Sequence, residues 1–168
     1  LSGRSFFFSG WISTGKTTVV RRIRDELRQS RPLNSVFVVG PTEELAAQIG
    51  GLTPDVYVGT SLRHAPQALI RWVKANAKSR QRLQATTAIV FSHAFMLETT
   101  TLNTLDAVLQ GVRGSSDPFG GVQVVFSGDP LVSMAPLTSH PELFFCPSFQ
   151  RAVETTKDLT QTHRPTMI

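Results

Sequence analysis

The chain has 168 residues, 40% of them hydrophobic, which is typical of one globular domain with a sizeable core. No uninterrupted apolar run approaches the roughly 18 residues that a bilayer span needs, so we expect no membrane-spanning segment. The single cysteine, Cys146, excludes an intramolecular disulfide framework and a zinc site built from several cysteines. The net charge of +5 permits contact with phosphate backbones or an acidic partner.

The predicted elements alternate between strands and helices along the chain. Buried or small strands are predicted at 5–9, 36–39, 56–58, 88–91 and 122–126. Helices are predicted at 17–29, 43–49, 66–77 and 101–112, a loop at 115–121, and a last short helix or strand within 152–159.

This order predicts an α/β fold. Strands that are apolar throughout and alternate with helices are typical of a parallel sheet covered by helices on both faces. The sequence shows no internal repeat and no convincing boundary, so we expect one domain over residues 1–168. Because the chain begins with leucine, we expect it to be a fragment, a processed form, or only the ordered part of something longer.

Residues 10–17 carry a phosphate-binding pattern. The string Gly-Trp-Ile-Ser-Thr-Gly-Lys-Thr fits G-x-x-x-x-G-K-[ST] and lies between a predicted strand and a predicted helix. Backbone N–H groups of such a loop surround an anion, the lysine reaches the β- and γ-phosphates, and the threonine hydroxyl binds Mg²⁺. The bulky Trp11 and Ile12 are unusual in a tightly wrapped loop. The candidate ligands of ATP, ADP, GTP or GDP are Gly10, Ser13, Thr14, Gly15, Lys16 and Thr17, with Thr17 also the candidate metal ligand.

The strand at 88–91 is the natural place for the acidic pair that orients Mg²⁺ and the attacking water in a P-loop NTPase. Ser92 and His93 stand there instead. Serine is a neutral ligand at best, and Mg²⁺ is a hard cation that prefers oxygen to imidazole nitrogen. We therefore expect no intact catalytic residue at this position.

Further segments follow the motif order of a known family. They are Phe8–Thr17, Gly40–Thr42, Leu45–Ala47, Ile49–Gly51, Ile89–Leu97, Pro118–Gln123, Gly128-Asp129 and Leu159–Arg164. In this order they resemble the ATP-binding core of the PIF family of superfamily-one DNA helicases. The segment P-F-G-G, followed by a strand and G-D, is more specific than the P-loop alone.

The resemblance implies a RecA-like P-loop domain, the first of two helicase motor domains, with the second outside this chain. It also implies that Arg164 contacts the γ-phosphate and that Asp129 belongs to the G-D motif. Asp129 could line the site or cap the turn at Pro130, and the sequence leaves both open. The departures from the family pattern fall on Ser92, His93, Val132, Glu43 and the segment Thr53–Gly59, which aligns with a DNA-contacting segment of the family.

From these departures we expect a degenerate helicase domain that binds nucleotide at most, or is empty, and acts as a scaffold in a nucleoprotein assembly. A mitochondrial ribosome or its assembly machinery is one such setting, so we expect the mitochondrial matrix, with the nucleus as the other location. The alternative is an ATP-dependent DNA helicase whose second motor domain lies outside this chain. A small-molecule kinase shares the P-loop but leaves the later motifs unexplained.

The predicted partner surface is the basic face of the first long helix, through Arg21, Arg24 and Arg28. It would contact an RNA or DNA backbone or protein subunits of a large complex. An ordinary solvated face remains the alternative. Trp72 and the run Phe6–Phe8 lie on apolar faces and are predicted to pack in the core.

Overall fold

The computed structural model describes residues 3–11, 14–130 and 142–160. A five-stranded sheet with the order β2-β3-β4-β1-β5 forms its centre, and all its pairings are parallel. The strands are β1 Phe6–Gly10, β2 Val36–Val39, β3 Ala88–Phe91, β4 Gln123–Gly128 and β5 Thr155–Leu159. The parallel sheet predicted from the sequence is confirmed, and the segment at 152–159 resolves into a strand.

Seven helices are present within the described residues. They are α1 Lys16–Ser30, α2 Glu43–Ala47, α3 Pro54–Val58, α4 Pro66–Ala75, α5 Ala77–Ala85, α6 Thr99–Arg113 and α7 Pro147–Ala152. Short 3₁₀ turns cover Ala94–Met96, Pro118–Gly121 and Glu142–Phe145. None of the helices in this part of the chain is long and apolar enough to cross a membrane.

Helices cover both faces of the sheet because successive strand residues point to opposite sides. Phe8 and Val90 pack on one side with the apolar stripe of α1, which consists of Val20, Ile23 and Leu27. Phe7 and Ile89 face the other side and join the larger core, beneath α3 to α7. This alternation explains why every residue of β3 is buried.

Two sequence predictions are wrong, one in the segment between β2 and α4 and one within α4. Residues 56–58 form the end of a helix, α3, rather than a strand, because Thr53 and Pro54 provide a helix start. The Thr53 hydroxyl accepts a hydrogen bond from the N–H of Val56 at 3.4 Å, and Pro54 supplies a fixed φ in the first turn. Trp72 is 38% exposed and therefore not a core residue, whereas its neighbour Val73 is fully buried.

Helix α5 has no counterpart among the predictions, because Leu83 is its only large apolar residue. Asn76 separates it from α4, and its side-chain oxygen accepts a hydrogen bond from the N–H of Ser79 at 3.0 Å. At the other end, the Arg113 guanidinium donates to the carbonyls of Leu83, Gln84 and Thr86 at 2.8–2.9 Å. Capping groups at both ends therefore define a helix that hydrophobic periodicity does not reveal.

The buried carboxylate of Asp106 ties three elements together. This residue of α6 is 2% exposed and accepts hydrogen bonds from the N–H of Phe119 at 2.6 Å and the Ser148 hydroxyl at 2.9 Å. Gln110 donates at 2.8 Å, and Arg151 forms an ion pair with it. Phe119 is fully buried and has a positive φ of 52°, which is unusual for a non-glycine residue. The P-F-G-G turn is thus held to α6 and α7 by one side chain.

We predict that Asp106→Ala lowers the free energy of unfolding by about 3–5 kcal/mol, because it leaves buried donors and the partner arginine without their acceptor. Urea denaturation followed by circular dichroism measures this change. Asp117→Ala is the matched control, since the exposed Asp117 side chain accepts one hydrogen bond, from the Ser115 hydroxyl, and its loss should change stability by less than about 1 kcal/mol. Equal effects of the two variants would contradict the assigned role of Asp106.

Candidate nucleotide-binding site

The phosphate-loop pattern forms the turn between β1 and α1. Gly15 immediately precedes α1 and has a φ of 81°, a left-handed conformation that favours glycine. Thr14 is buried, and its hydroxyl donates to the carbonyl of Trp11 at 2.8 Å. A Cβ on Gly10 would lie 2.4 Å from the Thr14 hydroxyl oxygen, so the close turn requires glycine there.

Lys16 lies at the centre of this loop. Its ammonium group donates to the carbonyl of Gly10 and, at 2.8 Å, to that of Trp11. The ammonium nitrogen is also 3.9 Å from Oδ2 of Asp129, directly after β4. Burial lowers the pKa of Lys16, while the charge of Asp129 raises it. This proximity supports the interpretation of Asp129 as a residue that lines the site.

A cavity of about 540 Å³ opens beside the loop, at the carboxyl ends of β1, β4 and β5. Trp11 lines it and is 66% exposed, so the bulky loop residue turns outward and does not pack into the core. Asp129 and Asp158 place two carboxylates on the cavity wall. Asp158 also accepts a hydrogen bond from the Ser9 hydroxyl. Sequence reasoning missed Asp158, because its position beside β1 depends on the pairing of β5 with that strand.

Ser92 and His93 follow β3 at the same edge of the sheet. The Ser92 hydroxyl is 3.0 Å from Nδ1 of His93, and His93 has a positive φ of 53°. Burial lowers the pKa of His93, and the positive charge of Lys16 lowers it further. The imidazole is therefore neutral at pH 7 and lies close enough to the phosphate loop to respond to its lysine.

The loop has the parts that bind a phosphate group, whereas the residues around it offer few ligands for a metal ion. The glycine-dependent turn, the lysine and the start of the 15-residue helix α1 are the parts that an anion requires. Mg²⁺ prefers oxygen ligands and commonly keeps several waters beside the nucleotide phosphates. Thr17 and Asp129 would supply two such oxygens. The described residues contain no cluster of three or more acidic, histidine or cysteine side chains that could hold a metal ion by themselves. Ser13, Val132 and Arg164 lie outside the described residues.

The predicted partner face of α1 is partly used within the domain. Arg24 donates to the carbonyl of Ile49 at 2.8 Å, and Arg21 donates to that of Gln48 at the same distance. These two arginines therefore hold the segment after α2 against α1. Arg28 is exposed on the same helix. Its predicted contact with nucleic acid or protein stays a prediction.

The lowered pKa of His93 predicts how stability depends on pH. Below about pH 6.5 the unfolded chain binds a proton at this position more readily than the folded protein, so acidification favours unfolding. We expect the wild type to lose more unfolding free energy between pH 7.5 and 5.5 than His93→Gln does. Urea titrations at both pH values measure this difference, and the other histidines are common to both proteins. An equal loss of unfolding free energy in the wild type and in His93→Gln would contradict the lowered pKa of His93.

The chain matches a known protein family over most of its length. The family described as PIF1-like helicase matches residues 1–144. Human ATP-dependent DNA helicase PIF1 is 31% identical over 168 residues, which are 98% of this chain and 25% of that protein. The chain thus spans about a quarter of the length of this curated relative.

Solved structures show the same fold. The crystal structure of Pif1 helicase from Candida albicans superimposes with a TM-score of 0.87 at 28% identity, over 96% of this chain and 37% of that one. Bacteroides Pif1 in complex with ADP-AlF3 and ssDNA has a TM-score of 0.73 at 23% identity, over 98% of this chain and 40% of that one. The motif order, the parallel sheet and these matches lead to one conclusion: the chain belongs to the PIF1-like helicase family.

Proposed function

We propose that this domain binds a nucleoside di- or triphosphate at residues 10–17 but hydrolyses it poorly, and that it serves as a binding subunit in a nucleoprotein assembly. The observation that carries the proposal is the Ser92–His93 pair at the end of β3, where a hydroxyl group lies 3.0 Å from an imidazole whose pKa is lowered by burial and by the charge of Lys16. Neither group supplies the negative charge that orients a metal-bound water. A mitochondrial setting for such an assembly is part of the same proposal.

The chemistry available to the domain follows from its own side chains. The Lys16 ammonium can exchange its loop carbonyl contacts for phosphate oxygens without leaving the loop. Asp129 stands beside it and can accept a hydrogen bond from a bound water. A bound Mg²⁺ would neutralise phosphate charge, with the Thr17 hydroxyl as its ligand. The site can therefore retain a nucleotide, while activation of an attacking water lacks a strong base.

A second candidate function is an ATP-dependent helicase whose other motor domain lies outside this chain. It is supported by the position of Asp129, 3.9 Å from Lys16, which provides one carboxylate at the site. The human and Candida albicans relatives carry the name of a helicase. Under this alternative Asp129 takes over part of the role of the missing acidic pair.

Nucleotide binding is testable through Trp11, which lines the cavity beside the loop. In a Trp72→Phe background Trp11 is the only tryptophan, and we expect ADP or ATP to change its fluorescence in a saturable manner. Lys16→Ala should weaken binding at least tenfold, since it removes the loop cation. Lys157→Ala, at an exposed position of β5, is the control and should bind as the wild type does. No saturable signal and no calorimetric binding would contradict the nucleotide role.

Turnover distinguishes the two candidate functions. Loss of the metal carboxylate and the water-orienting group should lower hydrolysis on the order of 10⁴-fold or more, because each contributes several kcal/mol to the barrier. We expect negligible phosphate release by the wild type and a measurable gain in Ser92→Asp/His93→Glu. Substantial wild-type turnover that Asp129→Asn abolishes would instead support the helicase alternative. A double variant that binds nucleotide but stays inactive would place a further defect elsewhere in the site.

A further inference from the structure

The cavity beside the phosphate loop has two ends of different chemistry. Lys16 and the start of α1 mark one end, and Oδ2 of Asp129 lies 3.9 Å from the lysine ammonium nitrogen there. The other end lies on β5, where Asp158 lines the same cavity. Because β1 separates β4 from β5, the backbones that carry the two aspartates lie two strand spacings apart, roughly 10 Å. An extended nucleotide spans a comparable distance between its phosphates and its base.

The walls of this cavity suit a flat aromatic ring. Trp11 is exposed and lines the cavity together with Phe7, Phe144 and Leu159. An indole ring stacks on any nucleobase, because every base has a π face. Trp11 would therefore contribute affinity without distinguishing one base from another. Selection between bases depends on the polar groups that line the cavity.

The carboxylate of Asp158 is held in place by its neighbour on β1. The two strands pair so that Asp158 lies opposite Ser9, and the side chains of paired residues point to the same face of the sheet. The Ser9 hydroxyl donates a hydrogen bond to Oδ1 of Asp158, and both residues line the cavity. A carboxylate has about four lone-pair sites and no hydrogen to donate. Asp158 therefore offers a ligand a positioned group that accepts hydrogen bonds and donates none.

We propose that this end of the cavity binds the base of a guanine nucleotide, with Asp158 as the residue that determines base specificity and Ser9 as the residue that positions it. Guanine carries two adjacent donors, N1–H and the 2-amino group, which match the two oxygens of a carboxylate. Adenine carries one amino group beside the N1 acceptor, whose lone pair would face a carboxylate oxygen. A site built to accept two hydrogen bonds rejects a base that leaves its polar groups unpaired.

This inference rests on the nucleotide binding proposed above and names the class of nucleotide. The human relative carries the name of an ATP-dependent DNA helicase. A guanine preference would distinguish this chain from that relative, and it is independent of whether the nucleotide is hydrolysed.

Isothermal titration calorimetry with GDP, ADP and IDP tests the assignment of Asp158. The wild type should bind GDP at least tenfold more tightly than ADP, with IDP in between because inosine lacks the 2-amino donor. Asp158→Asn should lose this preference and bind xanthosine diphosphate more tightly than GDP, since the amide can donate to the 2-oxo group of xanthine. Glu154→Gln is the matched control, because Glu154 lies directly before β5 in an exposed ion pair with Arg4, and it should keep the wild-type ratio.

Two further sites separate the roles of the side chains. Trp11→Ala should weaken the binding of GDP and ADP by the same factor, because stacking does not discriminate between the two bases. Ser9→Ala should lower the ratio of GDP to ADP affinity at least threefold, and Ser9→Thr, which keeps the hydroxyl, should restore it. Each conclusion rests on two affinities measured on the same protein, so a general loss of stability in a variant does not mimic the effect.

The outcomes distinguish this inference from the proposed function. Equal affinity for GDP and ADP, or tighter binding of ADP, would overturn the guanine assignment and leave the nucleotide role intact. A GDP preference that persists in Asp158→Asn would overturn the role of Asp158. Absence of binding for all these nucleotides would contradict both proposals.

Discussion

The common direction of the five strands is the constraint on which the site depends. Parallel strands end at one edge of the sheet, so the residues that follow them meet there although they are far apart in sequence. The phosphate loop follows β1, Asp129 follows β4, and Ser92 follows β3. Asp158 joins the same edge through the pairing of β5 with β1. The chemistry of the domain is therefore assembled by strand direction and strand order.

Charge at this edge is balanced around one lysine. The ammonium of Lys16 is shared between loop carbonyls and lies within 4 Å of a carboxylate of Asp129. Burial of the ring and the positive charge of Lys16 both lower the pKa of His93. An acidic pair after β3 would be attracted by the same lysine and would bring negative charge to the metal side of the site. Ser92 and His93 bring no such negative charge, while the glycine-dependent turn of the loop suits a phosphate group.

The basic side chains of this protein fall into two groups: arginines that donate hydrogen bonds to backbone carbonyls, and exposed arginines and lysines that have no such acceptor among the described residues. Arg113 binds three carbonyls at the end of α5, and Arg24 binds one at the segment after α2. Five donors in a fixed fork suit the guanidinium to this task. Arg71, Lys74 and Lys78, which are exposed on α4 and α5, belong to the second group. A basic composition alone does not reveal this division.

The local sequence determined the elements whose patterns are unambiguous. The apolar runs of β2 and β3 predicted their bounds, and the P-loop pattern predicted the turn that requires Gly10 and Gly15 and the place of Lys16 in it, because short-range sterics restrict which residues fit such a turn. Only the tertiary structure decided the long-range contacts, the exposure of Trp72 and the presence of α5. Asp106 and Asp158 form hydrogen bonds with residues that are distant in the sequence. Trp72 is exposed because of how α4 packs. The end of α5 is stabilised by Arg113, which lies 30 residues from Leu83. Such contacts leave no local periodicity, since their free energy arises only when distant segments meet.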